Sequence, residues 1–133
     1  MPPDSPVGRD NENPPRRVLV VEDEALVRLL VVQVLEEAGY VVCEAAEAKG
    51  ALAQLQSGDV IDLMVTDVGL PSVNGKQLAD QARGLRPELK ILYMTGYADS
   101  GLLEDPLPVG VDLITKPFDL DELAFKAGAL LGL

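Results

Sequence analysis

Short apolar runs alternate along this chain with longer stretches in which apolar residues recur at helical spacing. Val18-Leu19-Val20-Val21 is a continuous, β-branched run and reads as a strand buried on both faces. Ala25 to Ala38 is rich in helix formers, with apolar residues at 26, 29, 30 and 34, and Gly39 stops it as a C-cap. Tyr40 to Glu44 reads as a second strand. Glu47 to Gln56 reads as a helix with Leu52 and Leu55 facing in, ended by Ser57-Gly58. The run from Ile61 to Thr66 predicts a third strand that stops at Asp67. Gly69, Pro71 and Asn74-Gly75 then supply loop vocabulary, with Asn74 placed to N-cap a helix to about Gly84. Lys90 to Met94 is a fourth strand, ending in Thr95-Gly96. A helix is expected near Ala98, cut short by Pro106 and Pro108. Val111 to Thr115 is a fifth strand. Asp119 with Glu122 has the spacing of a capping box that opens a last helix, with Leu120, Leu123, Ala127 and Leu130 on one stripe.

Strand and helix thus alternate five times, with no other internal repeat. That order predicts an α/β fold with a doubly wound parallel sheet and helices on both faces. Right-handed crossovers place every strand's carboxyl end at one edge, and ligands of open parallel sheets bind just beyond that edge. Glu22 and Asp23, Asp67, Thr95 and Lys116 each lie just past such an end, on strands one, three, four and five. Residues far apart in sequence are therefore expected on one rim.

Composition narrows what the rim can meet. With 133 residues the chain is one domain, large enough for a core. Residues 1–16 hold five of the ten prolines and read as a disordered lead-in, so the domain is expected over 17–133. Hydrophobic residues are 47% and aromatics 4%, so the core is aliphatic. The net charge of −11 argues against nucleic acid, whose phosphates need clustered Lys and Arg, and against an anionic membrane. A cation or a basic partner suits it better. The single cysteine, Cys43, sits in an apolar strand pattern and reads as a small core residue in a reduced, cytoplasmic setting. With no histidine, His-based triads and His-ligated zinc are excluded, and the chain carries no phosphohistidine of its own. Neither a membrane span nor a signal peptide is visible.

Three carboxylates in one cleft repel unless a positive charge sits among them. Mg²⁺ meets that need, since it takes hard oxygen ligands and is usually held by one or two carboxylates plus phosphate. Asp23 and Asp67 are the expected direct ligands, the Gly69 backbone carbonyl a third, and Glu22 a ligand through water. Aspartate carboxylates also accept phosphoryl groups, and Asp67 sits centrally. Such transfer rests on positioning and charge stabilisation, which the Lys116 ammonium and the Thr95 hydroxyl can supply at two phosphoryl oxygens. Pro117 makes the Lys116–Pro117 bond a candidate cis peptide. Taken singly, each residue has an ordinary explanation: Asp67 as a cap, Glu22-Asp23 as the acidic start of a helix, Thr95-Gly96 as a turn, Lys116 as a solvated charge. Their shared place at one sheet edge favours the functional reading.

With those residues in view, the chain resembles a response-regulator receiver domain of two-component signalling, over roughly residues 17–131. The resemblance rests on Val18-Leu19-Val20-Val21-Glu22-Asp23-Glu24, Asp67-Val68-Gly69-Leu70-Pro71 with Gly75, Thr95-Gly96-Tyr97-Ala98, and Lys116-Pro117-Phe118. It implies a flavodoxin-like five-stranded sheet in the order 2-1-3-4-5, Mg²⁺, and phosphorylation of Asp67 by a sensor histidine kinase or a histidine phosphotransfer protein. It also implies that the domain catalyses its own phosphorylation and dephosphorylation and is otherwise not an enzyme. Two departures concern the switch. The family often has an aromatic three residues before the lysine, where this chain has Leu113, and the prolines at 106 and 108 shorten the fourth helix. Tyr93-Met94-Thr95-Gly96-Tyr97 is similar to an atypical receiver subgroup and to receivers of hybrid kinases, and Tyr97 is a candidate substitute for the moving aromatic.

No output domain follows the last helix, so output is expected through contact with a downstream protein, by a monomer or weak homodimer. The apolar end, Leu130 to Leu133, is expected to cover the sheet or fray. A receiver cut from a hybrid kinase and a phosphate sink are alternatives. An Asp-nucleophile phosphatase is a weaker one, because the position two residues after Asp67, where haloacid-dehalogenase-type enzymes carry a second Asp, is Gly69.

Overall fold

In the computed structural model, which describes residues 15–96, 101–103 and 106–133, five strands form one parallel sheet: β1 (Arg17–Val21), β2 (Val41–Ala45), β3 (Leu63–Asp67), β4 (Lys90–Thr95) and β5 (Val111–Thr115). Their order is β2-β1-β3-β4-β5. Four helices are described: α1 (Ala25–Glu37), α2 (Ala48–Gln56), α3 (Gly75–Leu85) and α4 (Leu120–Leu130). The flavodoxin-like sheet is as expected. Among the described residues no α-helix lies between β4 and β5. The start of the helix expected near Ala98, and Tyr97 with it, fall outside the described residues, as do residues 1–14 of the lead-in.

The central strands are buried on both faces, and their side chains alternate between two cores. Leu19, Val21, Met64, Ile91 and Tyr93 point to one side, where α2 and α3 bring Ala51, Leu55, Leu78 and Ala82. Val18, Val20, Leu63, Val65, Leu92 and Met94 point to the other, where α1 and α4 bring Val31, Leu35, Leu123 and Ala127. The register pairs Val20 with Val65, Val65 with Leu92, and Asp67 with Met94, so β1, β3 and β4 end close to one line. That alignment sets the rim.

Several local expectations shift. β3 begins at Leu63, two residues later than the apolar run suggests. Asp62 before it is already committed to β1: its carboxylate accepts the Arg17 amide at 2.8 Å, and its own amide bonds the Arg17 carbonyl. β2 is an edge strand and only partly covered, so Cys43 is half-buried and packs against the core from the border of the sheet. Helix α1 buries Val31, Val32 and Leu35, while Leu26, Leu29 and Leu30 are exposed. Only Val34 of the apolar set 26, 29, 30 and 34 packs against the core. Gly39 takes φ +99, a backbone conformation that suits glycine, and closes α1 as expected. Asn74 caps α3 in a full capping box with Gln77. Asp119 accepts from the Asp121 amide at 2.9 Å, a simple N-cap in place of the reciprocal box with Glu122. Leu131 is buried, while Leu133 is exposed. No helix among the described residues is long and apolar enough to cross a membrane.

The orientation of α1 is testable. Leu35→Ala is expected to lower unfolding free energy by about 2–5 kcal/mol, and Leu29→Ala by no more than about 0.5 kcal/mol, in urea denaturation. Equal losses would mean that α1 is rotated.

Candidate functional site

The rim is built where three strands run out. Glu22 and Asp23 follow β1, Asp67 is the last residue of β3, and Lys116 follows β5. Glu22 is fully buried and Asp67 nearly so, whereas Asp23 is exposed. The Lys116 ammonium lies between the two buried carboxylates, 3.1 Å from Asp67 Oδ2 and 3.2 Å from Glu22 Oε1. The other oxygens are also engaged. Gly69 N–H donates to Asp67 Oδ1 at 3.1 Å, and Glu24 N–H to Glu22 Oε2 at 3.0 Å. Lys116 is held at its backbone, where its N–H donates to the Thr95 carbonyl at 2.8 Å. The Lys116–Pro117 peptide is cis.

Glu22, Asp23 and Asp67 can each offer an oxygen within 4.8 Å of the others. Three carboxylates at that spacing, two of them buried, form a donor set suited to a hard divalent cation such as Mg²⁺. The site residues expected on the rim are therefore together in four cases: Glu22, Asp23, Asp67 and Lys116. Gly69 joins them through its amide. Thr95 is buried at the end of β4, next to the site, and its hydroxyl donates to the Gly96 carbonyl at 3.0 Å. Leu113 stands further back, half-buried in mid-strand and in register with the buried Tyr93. An aromatic side chain is thus present in this layer, on β4 and two residues before Thr95.

Two contributors were not visible in the sequence pattern. Arg28 donates to the Glu22 carbonyl at 2.7 Å and pairs with Glu44 at 3.0 Å, which ties α1 and β2 to the rim. Its place one turn into a helix that follows the acidic pair was the only available signal. Gly75, legible only as a loop residue and motif member, lies against the Asp67–Val68 backbone.

Burial pushes the Glu22 carboxyl from its ordinary 4.5 up to about 6, with the Asp67 charge adding to the rise and the Glu24 amide and Lys116 opposing it. For Lys116, burial alone would lower the pKa. The hydrogen bond and charge of Asp67, with Glu22, outweigh it and hold the ammonium above its ordinary range. Lys116 therefore stays charged wherever the protein is folded near neutrality.

A parallel five-stranded sheet with an acidic cluster and a lysine at its carboxyl edge defines an α/β domain of the flavodoxin-like class. The pattern of the response regulator receiver domain matches residues 18–127, and the chain belongs to that family. It is 35% identical over 117 residues to the response regulator receiver protein CpdR of Brucella abortus, a match covering 87% of this chain and 97% of that protein. It is 36% identical over 116 residues to the sensor kinase CckA of the same organism, covering 86% of this chain and 12% of the kinase. Among solved structures, the receiver domain of the hybrid histidine kinase CckA superimposes with a TM-score of 0.73 at 31% identity, covering 86% of this chain and 98% of that one. A response regulator receiver protein from Sinorhizobium medicae superimposes at 0.81 with 29% identity, covering 89% and 95%. Receiver domains are signalling domains.

The raised Glu22 pKa has a signed consequence. The folded state holds the proton more tightly than the unfolded chain, so the contribution of Glu22 to stability is full below 4.5 and is lost as pH rises through about 6. In metal-free buffer, the pH dependence of the denaturation midpoint across that window is expected to be shallower in Glu22→Gln than in the wild type. Parallel profiles would overturn the assignment.

Proposed function

We propose that this domain accepts a phosphoryl group on Asp67 from a phosphohistidine on a donor protein, a sensor histidine kinase or a histidine phosphotransfer protein, and signals by a change in its protein-binding surface. The observation that carries this reading is the Lys116 ammonium, seated 3.1 Å from the Asp67 carboxylate at the open end of the sheet. In the transfer, a bond forms between an Asp67 oxygen and phosphorus while the phosphorus–nitrogen bond of the donor breaks, and the imidazole leaves with the electron pair. Lys116 stabilises charge on the phosphoryl oxygens, and Thr95 offers a hydroxyl at the same rim. The Lys116 ammonium is already beside Asp67, while the Thr95 hydroxyl has to leave the Gly96 carbonyl to reach a phosphoryl oxygen.

The family and the donor set favour Mg²⁺ as the cofactor. Asp23, Asp67 and the Gly69 carbonyl would hold it, with Glu22 acting through a water. When bound it neutralises phosphoryl oxygens that the carboxylates alone would repel. Lys116 by itself leaves the three carboxylates with a net negative charge, which is the physical case for a cation. The reading suits a receiver that makes up nearly a whole protein, as the match to CpdR does, and one that is a segment of a longer chain, as the match to the sensor kinase CckA is.

A donor protein has to present its histidine at this rim, and apolar surface is open beside it. Leu26 is 69% and Leu29 51% exposed on α1. A groove of about 320 Å³ is lined by Val27, Leu30, Pro117, Phe118 and Leu120 together with Lys116. Once Asp67 carries the phosphoryl group, readout runs through Thr95 and the β4–β5 layer, where Leu113 stands beside Tyr93. Tyr97 is proposed as a moving aromatic there.

Incubation with acetyl phosphate and Mg²⁺ is expected to give a labile, singly phosphorylated protein by intact mass. Asp67→Asn is expected to abolish the adduct, EDTA to suppress it, and Lys116→Ala to slow uptake by roughly tenfold to a hundredfold. An unmodified wild type, or an undiminished adduct on Asp67→Asn, would sink the reading.

A further inference from the structure

Asp67 is aimed by its backbone, and that backbone is held from two sides. On one side, Val68 is fully buried and its N–H donates to the Met94 carbonyl of β4 at 3.0 Å. On the other, the first residue of α3 packs directly on it. Gly75 N–H donates to the Val68 carbonyl at 2.8 Å. A Cβ on Gly75 would overlap the Asp67 carbonyl oxygen, and would lie 2.8 Å from Val68 Cα and 2.9 Å from the Asp67 carbonyl carbon. These are backbone atoms, so no side chain can turn aside to make room.

We infer that Gly75 is a positioning residue for the phosphoacceptor: its missing side chain lets the start of α3 close onto the Asp67–Val68 peptide and so fixes the direction of the Asp67 carboxylate. This rests on the phosphoacceptor reading above. An ordinary carbon contact needs ~3.5 Å, so a methyl group at position 75 displaces either α3 or the peptide by roughly 1 Å. Helix α3 resists, because Leu78, Ala79 and Ala82 are buried and Asn74 completes a capping box with Gln77. The displacement therefore falls on the Asp67–Val68 peptide. Two rim contacts depend on that peptide, Gly69 N–H to Asp67 Oδ1 and Lys116 Nζ to Asp67 Oδ2.

The test uses the full chain with acetyl phosphate and Mg²⁺. In the reaction an Asp67 oxygen–phosphorus bond forms as the bond between phosphorus and the acetate oxygen breaks, and acetate leaves. Gly75→Ala is expected to slow uptake on the order of 10²-fold, the scale of a 1 Å misplacement. It is also expected to shift the Gly69 amide resonance in Mg²⁺-free protein, where no chemistry is involved. Ala82→Gly, a buried change in the same helix away from the rim, is expected to lower the denaturation midpoint while leaving uptake and the Gly69 resonance unchanged. Wild-type uptake by a folded Gly75→Ala with an unmoved Gly69 amide overturns the inference, as does equal slowing in Ala82→Gly. If Gly75→Ala does not fold, Asn74→Ala decides. It loosens the first turn of α3 without adding an atom and is expected to slow uptake a few-fold, and no change there overturns the inference. A wild type that takes up no phosphate defeats the phosphoacceptor reading instead, while the Gly69 resonance still reports on positioning.

Discussion

One ammonium group between two buried carboxylates is the contact on which this rim depends. Glu22 and Asp67 end adjacent strands and are shielded from water. Two such charges side by side repel, and burial penalises each further. Lys116 answers both from two strands beyond β3, reaching across the end of β4 while its own N–H is bonded to Thr95. The parallel sheet is what makes this possible, because it delivers the ends of β1, β3 and β5 to one edge. The balance is left unequal by design of the chain: three carboxylates face one ammonium, and the Arg28 guanidinium spends its hydrogen bonds on the Glu22 carbonyl and on Glu44. The rim is thus a cation-seeking surface, because its carboxylates outnumber the ammonium among them.

Much of this was legible along the chain because strand ends and chemical residues coincide. The apolar runs stop at Glu22, Asp67, Thr95 and Lys116, and alternation with helices forces those stops to one side. The facing of α1 was not legible, for a physical reason. Leu26, Val27, Leu29, Leu30, Val31, Val32, Val34 and Leu35 surround the helix, and a periodicity with apolar residues on every side selects no face. Packing against β1, β2 and α4 made the choice, and three leucines were left outside. The edge position of β2 was equally hidden, since a short apolar run reads alike at the centre and at the border of a sheet. Gly75 shows the limit most clearly. As a letter it marks a loop, while its consequence lies in the distance to another part of the backbone.

Behind the rim, the aromatic side chain of the β4–β5 layer sits on β4, and β5 carries an aliphatic one. Leu113 on β5 stands beside Tyr93 on β4, and Tyr93 and Thr95 share one face of their strand. Tyr93 is therefore the buried side chain that follows Thr95 down the same face of β4. Leu103 and Leu107, on the connection between β4 and β5, pack against the same core.

The rim is also a burden on stability. Replacing a buried ion pair by apolar residues is commonly neutral or stabilising, so Glu22, Asp67 and Lys116 are poorly explained as struts. Glu22 shows the penalty directly, since burial raises its carboxyl toward 6 even with Lys116 beside it. What supports them is the aliphatic packing beneath: β1, β3 and β4 are buried on both faces, with one core under α1 and α4 and a second under α2 and α3. The two cores hold the strand ends in register whether the rim charges are satisfied or not. The charges at the rim therefore stand on a sheet whose order comes from the aliphatic packing on its two faces.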